Sequence, residues 1–384
     1  MEHLLELTRI IDGALKCDRA KVAAYVEQLT RKLRDSGDIQ AADRLQKVVD
    51  QVKVSEVAMA SMSLTPRLPV DQESRLSLAD EEVVRSASVR IVLEPAVDKR
   101  VAEFVQFTNA ADRLLASRVG IAPSMVIYGP PGVGKTELAR YIAGQLELPL
   151  LTSRSDSLIS SFLGSTAKNL RLLFEHARSR PCVLFLDELD ALAKLRDDHH
   201  EMGELKRVVV SLLQNIDALN NQTVLLGATN HHHLLDPAIW RRFAYRLELH
   251  LPSLEVRQQM FELFLGEYRG DQDIRTLAAV AETLSGADIR HVCEGAIRLS
   301  VLNGQAYVSE ADILRGIMRS RLGEVFDFTS TEAPQIKAVH DLHPELFTCR
   351  RLAGVFDTSE PTISRRLKES GVNSHARRRT KTAN

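Results

Sequence analysis

Lys135 and Thr136 close the run Gly129, Pro130, Pro131, Gly132, Val133, Gly134 in "GPPGVGKTELAR" (129–140), and Glu137 opens a stretch rich in helix formers. A glycine turn can aim several backbone N–H groups at one point while the positive end of the following helix faces the same point, so the arrangement suits a phosphate. The spacing is the complete G-x-x-x-x-G-K-[ST] pattern, in which the lysine reaches the outer phosphates and the hydroxyl holds Mg2+. The bland alternative is a surface turn with a solvated lysine. Against it stand an apolar strand before the turn, "SMVIYG" (124–129), and an amphipathic helix after it, "TELARYIAGQLEL". The ligand expected is a nucleotide.

Further along, "CVLFLDELDAL" (182–192) runs an apolar strand straight into Asp187 and Glu188. Adjacent carboxylates at a strand end repel each other unless a cation or a water organises them, which assigns Asp187 to the metal and Glu188 to the attacking water. Capping of a helix near Leu189 is the alternative. "GATN" ends the next strand with Asn230, a neutral amide able to position that water or sense a terminal phosphate. "LLDPAIWRRFAYRLEL" then sets Arg241 and Arg242 side by side, a pair that alone would read as a solvated face. His231, His232 and His233 read as a solvated turn. The four cysteines, Cys17, Cys182, Cys293 and Cys349, are too scattered for a zinc site and too few for a disulfide framework, so reduced thiols are expected.

The elements that must position these groups alternate along 89–251. Short apolar strands, "MVIYG", "LPLLTS" (148–153), "CVLFLD" (182–187), "TVLLGATN" (223–230) and "YRLELHL" (245–251), are separated by longer amphipathic stretches. Near-continuous apolar strands of this kind make a parallel sheet buried on both faces, with ligands at the carboxyl ends of the strands. The expected fold is therefore an α/β P-loop NTPase sheet covered by helices on both faces, followed by a small all-α lid. A helical N-terminal bundle and a helical C-terminal tail flank it. The expected boundaries are 1–52 for the helical N-terminal domain, 53–88 for a linker, 89–252 for the large αβ subdomain and 253–325 for the helical lid. A connector over 326–345 and a basic C-terminal segment over 346–384 complete the chain. Ser309 with Asp312 is a plausible cap for "ADILRGIMRSRL", as Asp18 is for an N-terminal helix.

With 44% hydrophobic and 26% charged residues among 384, the composition is that of an ordinary globular protein, and the net charge of −1 argues against a global polyelectrolyte partner. No apolar run approaches the ~18 residues of a membrane span, and "MEHLLELTRI" lacks the basic and apolar regions of a signal peptide. No membrane partner and a cytoplasmic location are expected.

In their order, "GPPGVGKT", "VLFLDELD", "LLGATN", "LDPAIWRRF" and "SGADIRHVCEGA" (285–296) resemble the AAA+ ATPases, specifically the AAA clade of FtsH-type proteases, katanin and spastin. The resemblance covers about 90–322 and implies ATP hydrolysis with ATP and Mg2+, in a homo-oligomeric ring, usually a hexamer, whose sites lie between subunits. It makes Arg241 and Arg242 the arginine fingers of the neighbour's site. Family members usually follow the finger phenylalanine with an Asp-Arg pair, where this chain has Ala244 and Tyr245 after Phe243. "SDSLISSFLGSTAKNLRLLFEHA" (155–177) is similar to the segment bearing the first pore loop, which would be Phe162, Leu163 and Gly164. A phenylalanine exposed there grips polypeptide by apolar contact. "LRDDHHEMGELKR" (195–207) falls where a second pore loop is expected, and neither it nor the rest of the chain holds H-E-x-x-H, so no zinc protease site is expected.

At the C-terminal end, "RLAGVFDTSEPTISRRLKESGV" (351–372) reads as helix, tight turn, helix, with Ser359 as cap. It resembles the helix-turn-helix of resolvase-type bacterial DNA binders, with Asp357 where a turn glycine is frequent. From Arg350 onward nine Lys/Arg stand against three Asp/Glu. Arg365, Arg366, Arg377, Arg378 and Arg379 are the candidate DNA contacts. The leading expectation is a ring that threads or remodels protein substrates or complexes with a partner protein supplying downstream activity. The alternatives are a DNA-directed ATPase or regulator and a scaffolding ring with slow hydrolysis.

Overall fold

The computed structural model describes residues 68–372 apart from 72–74, 87–88, 112–113, 115–116, 118–122, 159–162, 193–201, 220–222 and 324–325, together with Thr30, Leu33 and Ala42. The expected N-terminal bundle therefore lies almost wholly outside the described residues. The αβ part runs β1 (Ala79–Glu82), α1 (Pro95–Asn109), β2 (Ser124–Tyr128), α2 (Lys135–Leu146), β3 (Leu150–Ser153), α3 (Ser155–Leu158), α4 (Leu163–Arg178), β4 (Cys182–Leu186), α5 (Met202–Asp217), β5 (Thr223–Thr229), α6 (Pro237–Trp240) and β6 (Tyr245–Glu248). Seven helices follow: α7 (Leu254–Leu265), α8 (Ile274–Val280), α9 (Gly286–Leu302), α10 (Glu310–Leu322), α11 (Ala333–Leu342), α12 (Cys349–Val355) and α13 (Glu360–Glu369).

The sheet order is β1-β3-β4-β5-β2-β6, parallel except for β1, which runs antiparallel to β3. Alternation along the strands divides the apolar residues between two layers. Met125, Ile127, Val183, Phe185, Val224 and Leu226 pack with α1 and α2 on one face, while Val126, Leu184, Leu186 and Leu225 pack with α4 and α5 on the other. Each such side chain fully buried contributes about 1.5–3 kcal/mol of transfer free energy. Burial on both faces explains why these strands read as continuous apolar runs.

That frame also fixes the site. In the parallel neighbours β4, β5 and β2, Leu186 stands opposite Gly227 and Tyr128 opposite Thr229. Asp187, Asn230 and Gly129, each the next residue in its chain segment, consequently emerge together at the carboxyl ends of the parallel strands.

Two stretches differ from the sequence reading. The end of the supposed linker forms β1, whose Ala79 is fully buried while Glu82 is exposed. The tetrapeptide "ADEE" is too polar to announce a strand, and it is the backbone pairing with β3 that makes it one. Inside the supposed connector lies α11, started by Pro334 in its first turn and burying only Ile336 and Val339. Two apolar anchors give too short a periodic signal to read from sequence alone.

Helices α7 to α13 share one apolar core, which runs from Phe261 and Leu277 through Ile313 and Ile317 to Leu352, Ile363 and Leu367. Their ends are set by side-chain caps. Ser285 and Asp288 form a reciprocal capping box on α9, and Ser309 accepts from the Asp312 N–H at 3.1 Å, as the sequence led one to expect.

Candidate nucleotide site

The loop between β2 and α2 turns on glycines in the left-handed region, with φ of 78° at Gly132 and 94° at Gly134. A side chain at 132 would be strained by that φ and would also collide with the Ser285 hydroxyl. The loop is thus a close contact surface for the lid, and the Ala287 N–H donates to the Gly132 carbonyl at 3.0 Å. Lys135 begins α2 with only 8% of its surface exposed, and its Nζ donates to the carbonyls of Gly129 (2.9 Å) and Pro130 (2.8 Å). Burial lowers the pKa of this ammonium, opposed by the nearby Asp187 and Asp190 carboxylates.

Across from the loop, the Thr136 hydroxyl donates to Asp187 Oδ2 at 3.1 Å, and Asp187 Oδ1 accepts the Glu188 N–H at 2.9 Å. Glu188 sits at φ 53°, an uncommon conformation for a residue with a β-carbon, immediately after the strand. Its Oε2 accepts from the Ser155 hydroxyl at 3.0 Å, which orients the carboxylate. Asn230 contributes a buried Oδ1 with no protein partner among the described residues. Next to it, Thr229 donates to buried Asp190 at 3.0 Å and accepts from the His231 N–H at 3.0 Å, pinning the strand end.

These groups surround one cavity of about 550 Å³, lined by residues 131–137, Asp187, Glu188 and Asn230. The rest of the lining is mixed: apolar groups come from Ile91, Val92 and Leu93 before α1, Met260 and Phe264 of α7 and Ala287 of α9, and charged or polar ones from Arg90, Arg290, His291 and Glu294. Arg290 stands over the Phe264 ring at 5.2 Å and 3.8 Å from Glu137. A polar end rich in donors and an apolar end bounded by an aromatic ring match the two halves of a nucleotide, phosphate and base. The sequence reading did not foresee the apolar wall, although "RIVL" (90–93), an apolar triplet just before a helix-starting proline, carried a signal for it. Ser155 had no local signal, because it matters only through Glu188, brought to it by the fold.

Arg241 and Arg242 do not line this cavity. Arg242 is half-buried and makes a two-pronged contact with Asp217, Nε to Oδ1 and Nη2 to Oδ2, both at 3.1 Å. Arg241 is exposed at the end of α6. In place of the Asp-Arg pair that Ala244 and Tyr245 replace, Ser124 holds the segment. Its hydroxyl donates to the Arg242 carbonyl (3.1 Å) and accepts from the Ala244 N–H (3.0 Å). Phe243 is buried against Gly227, where a β-carbon would come within 3.0 Å of the ring. Phe162 and the expected second pore loop up to 201 lie outside the described residues. Leu163 and Gly164 open the backbone of α4. His233 meets the rings of His231 and His232 edge-on at centroid distances of 5.8 and 5.7 Å, and His232 lies tilted against Tyr128 at 5.2 Å. No group of three metal-ligating side chains occurs among the described residues, and no helix there is long and apolar enough to cross a membrane.

A parallel sheet with this loop, this acid pair and a helical lid closing on them defines a P-loop ATPase of the AAA type. Residues 125–251 match the model of the ATPase family associated with various cellular activities (AAA). The chain is 39% identical over 245 residues to an uncharacterized AAA family ATPase, y4kL, of Sinorhizobium fredii, an alignment covering 63% of this chain and 72% of that one. It is 35% identical to a proteasome-activating nucleotidase of Sulfurisphaera tokodaii, over 53% of this chain and 55% of the relative. With an ATP-dependent zinc metalloprotease FtsH of Parabacteroides distasonis it shares 30% identity, over 64% of this chain and 38% of that protein. The chain belongs to the AAA family of ATPases, and its reaction is hydrolysis of ATP.

Proposed function

We propose that the chain is one subunit of a hexameric ring that spends ATP hydrolysis on threading or remodelling protein substrates. The observation that carries the ring is the division of the catalytic groups. Lys135, Thr136, Asp187, Glu188 and Asn230 meet around one cavity, while Arg241 is solvent-exposed outside it. An arginine so placed completes a neighbour's site and not its own, with Arg242 and its Asp217 contact anchoring the segment that presents it. Such a finger stabilises the charge that develops on the transferring phosphoryl group and is worth ~10³–10⁵ in rate in related nucleotide hydrolases.

Within one subunit, the loop N–H groups from Gly132 to Thr136 and the Lys135 ammonium bind the phosphates. Thr136 and Asp187 offer paired oxygen donors of the kind Mg2+ prefers, and so fit that ion. Bound there, Mg2+ would neutralise charge on the phosphate oxygens. Glu188 takes up the proton of the attacking water, held in aim by Ser155. Asn230 turns its unpartnered Oδ1 to that water or senses the terminal phosphate through its amide. The lid reports the state of the pocket through the Ala287–Gly132 hydrogen bond.

Action on protein is supported by the similarity to a proteasome-activating nucleotidase and by the sequence resemblance of Phe162, Leu163 and Gly164 to a first pore loop. The test is ATP-driven unfolding of a fluorescent protein carrying an unstructured tail. The parent chain is expected to extinguish the fluorescence only with ATP, whereas Phe162→Ala keeps basal hydrolysis and loses unfolding. Equal unfolding by both forms, or ATP hydrolysis by the parent without any unfolding, would contradict the reading.

A further inference from the structure

We propose that helices α11 to α13 form a docking surface for duplex DNA, with the outer face of α13 entering the major groove. The three helices pack on one another around Ile336, Val339, Leu352, Ile363 and Leu367, all at most 2% exposed. Lys337 of α11 reaches the Ser370 carbonyl at the end of α13 at 3.3 Å, which closes the triplet. This arrangement, a helix followed by a tight two-helix corner, is the one in which the last helix reads a groove and the one before it crosses the backbone.

The corner itself explains the residue that broke the sequence pattern. Asp357 adopts φ 48°, the left-handed conformation that a glycine would supply, and its short polar side chain tolerates it. Ser359 then caps α13 by accepting from the Thr362 N–H at 3.4 Å.

The face of α13 opposite Ile363 and Leu367 carries Pro361, Arg365 and Lys368, all exposed. The two adjacent arginines differ in place. Arg366 is the more buried and is held by Glu369 at 3.0 Å, whereas the Arg365 side chain is 66% exposed and 3.9 Å from the same carboxylate. Arg365 is thus positioned to fork onto a guanine edge, with Lys368 and exposed Arg350 at the phosphates. A helix with its side chains is about 10–12 Å across and fits the ~12 Å major groove. The acidic Glu360 and Glu369 on the same helix reduce the net positive charge of this face without removing it.

The triplet is locked to the lid. Arg315 of α10 donates to the carbonyls of Gly354 and Val355, both at 2.8 Å, and Arg351 of α12 pairs with Glu310 (2.8 Å) and Asp273 (3.0 Å). The same lid lines the nucleotide cavity, so DNA held on α13 is joined by a continuous packed core to the site of hydrolysis.

The test uses the full chain, a fluorescein-labelled duplex of random sequence, and anisotropy over a range of salt. The parent is expected to bind with an affinity that falls steeply with salt. Arg365→Ala combined with Lys368→Ala should weaken binding more than tenfold and reduce the salt slope by ~0.9 for each phosphate no longer neutralised. Both positions face solvent, so thermal melting serves as the control for folding. Arg171→Ala, which removes a 73% exposed cation from α4, should bind as the parent does. Absence of salt-sensitive binding by the parent at low ionic strength would overturn the proposal. So would parental affinity in the double variant, or loss of binding only when the residues after 372 are removed.

Discussion

The turn into α2 and the turn into α13 can be set side by side. Both bend the chain through the left-handed region, at Gly132 and Gly134 in the first and at Asp357 in the second, and both deliver basic residues on the helix that follows. The first buries its cation: Lys135 is 8% exposed, satisfied by loop carbonyls, in a cavity that lid residues also line. The second holds Arg365 out, with two-thirds of its side chain in solvent. A concave, lidded cation can serve only a compact anion that enters the cavity. A cation on the convex side of a helix can serve only a partner large enough to come to it. The choice of turn residue follows the same logic. Glycine is required where the lid must touch the loop backbone, while aspartate suffices at 357, where the residue itself is exposed.

The loop into α2 is the more sensitive of the two turns. Gly132→Ala places a β-carbon in a strained φ and against Ser285, so the loop or the lid must yield at a cost of roughly 1–2 kcal/mol. ATP affinity measured by titration calorimetry should fall on the order of tenfold, since 1.4 kcal/mol is a factor of ten. Unchanged affinity would mean that closure of the lid on the loop contributes nothing to holding the nucleotide. The weaker side carries the smaller effect. Asp357→Gly should raise the urea midpoint slightly and Asp357→Ala should lower it, each by about 0.5–1 kcal/mol in stability, with ATP hydrolysis untouched. A lower midpoint for the glycine variant would show that the aspartate side chain, and not the backbone, holds the corner.

How far each region was legible in the sequence follows from how local its determinants are. Asp187, Glu188 and Asn230 follow directly on apolar strands, and Lys135 and Thr136 follow the glycine loop after another; a parallel sheet brings strand ends together whatever lies between them, so the constellation could be read from spacing and strand pattern. The apolar wall of the pocket could not, because Ile91 meets Met260 and Ala287 from more than a hundred residues away in the chain. Ser124 illustrates the same point. As a polar residue opening a strand it carries no message until Arg242 and Ala244 are beside it. The C-terminal corner was visible as a helix pair with Ser359 as cap, but α11 was not, having only two buried anchors. Nor could sequence distinguish Arg365 from Arg366, whose roles divide on a single contact to Glu369.

The central claim, that each catalytic site is completed by the neighbouring subunit, is tested most directly by mixing two inactive forms. Glu188→Gln removes the base from a subunit's own site but leaves its finger. Arg241→Ala removes the finger but leaves the base, so each homogeneous ring should hydrolyse ATP at a small fraction of the parental rate. In rings assembled from both, an Arg241→Ala subunit that receives Arg241 from a Glu188→Gln neighbour regains a complete site. Steady-state hydrolysis by the co-assembled mixture should therefore rise well above the sum of the two separate preparations, and a mixture no more active than that sum would contradict the shared site.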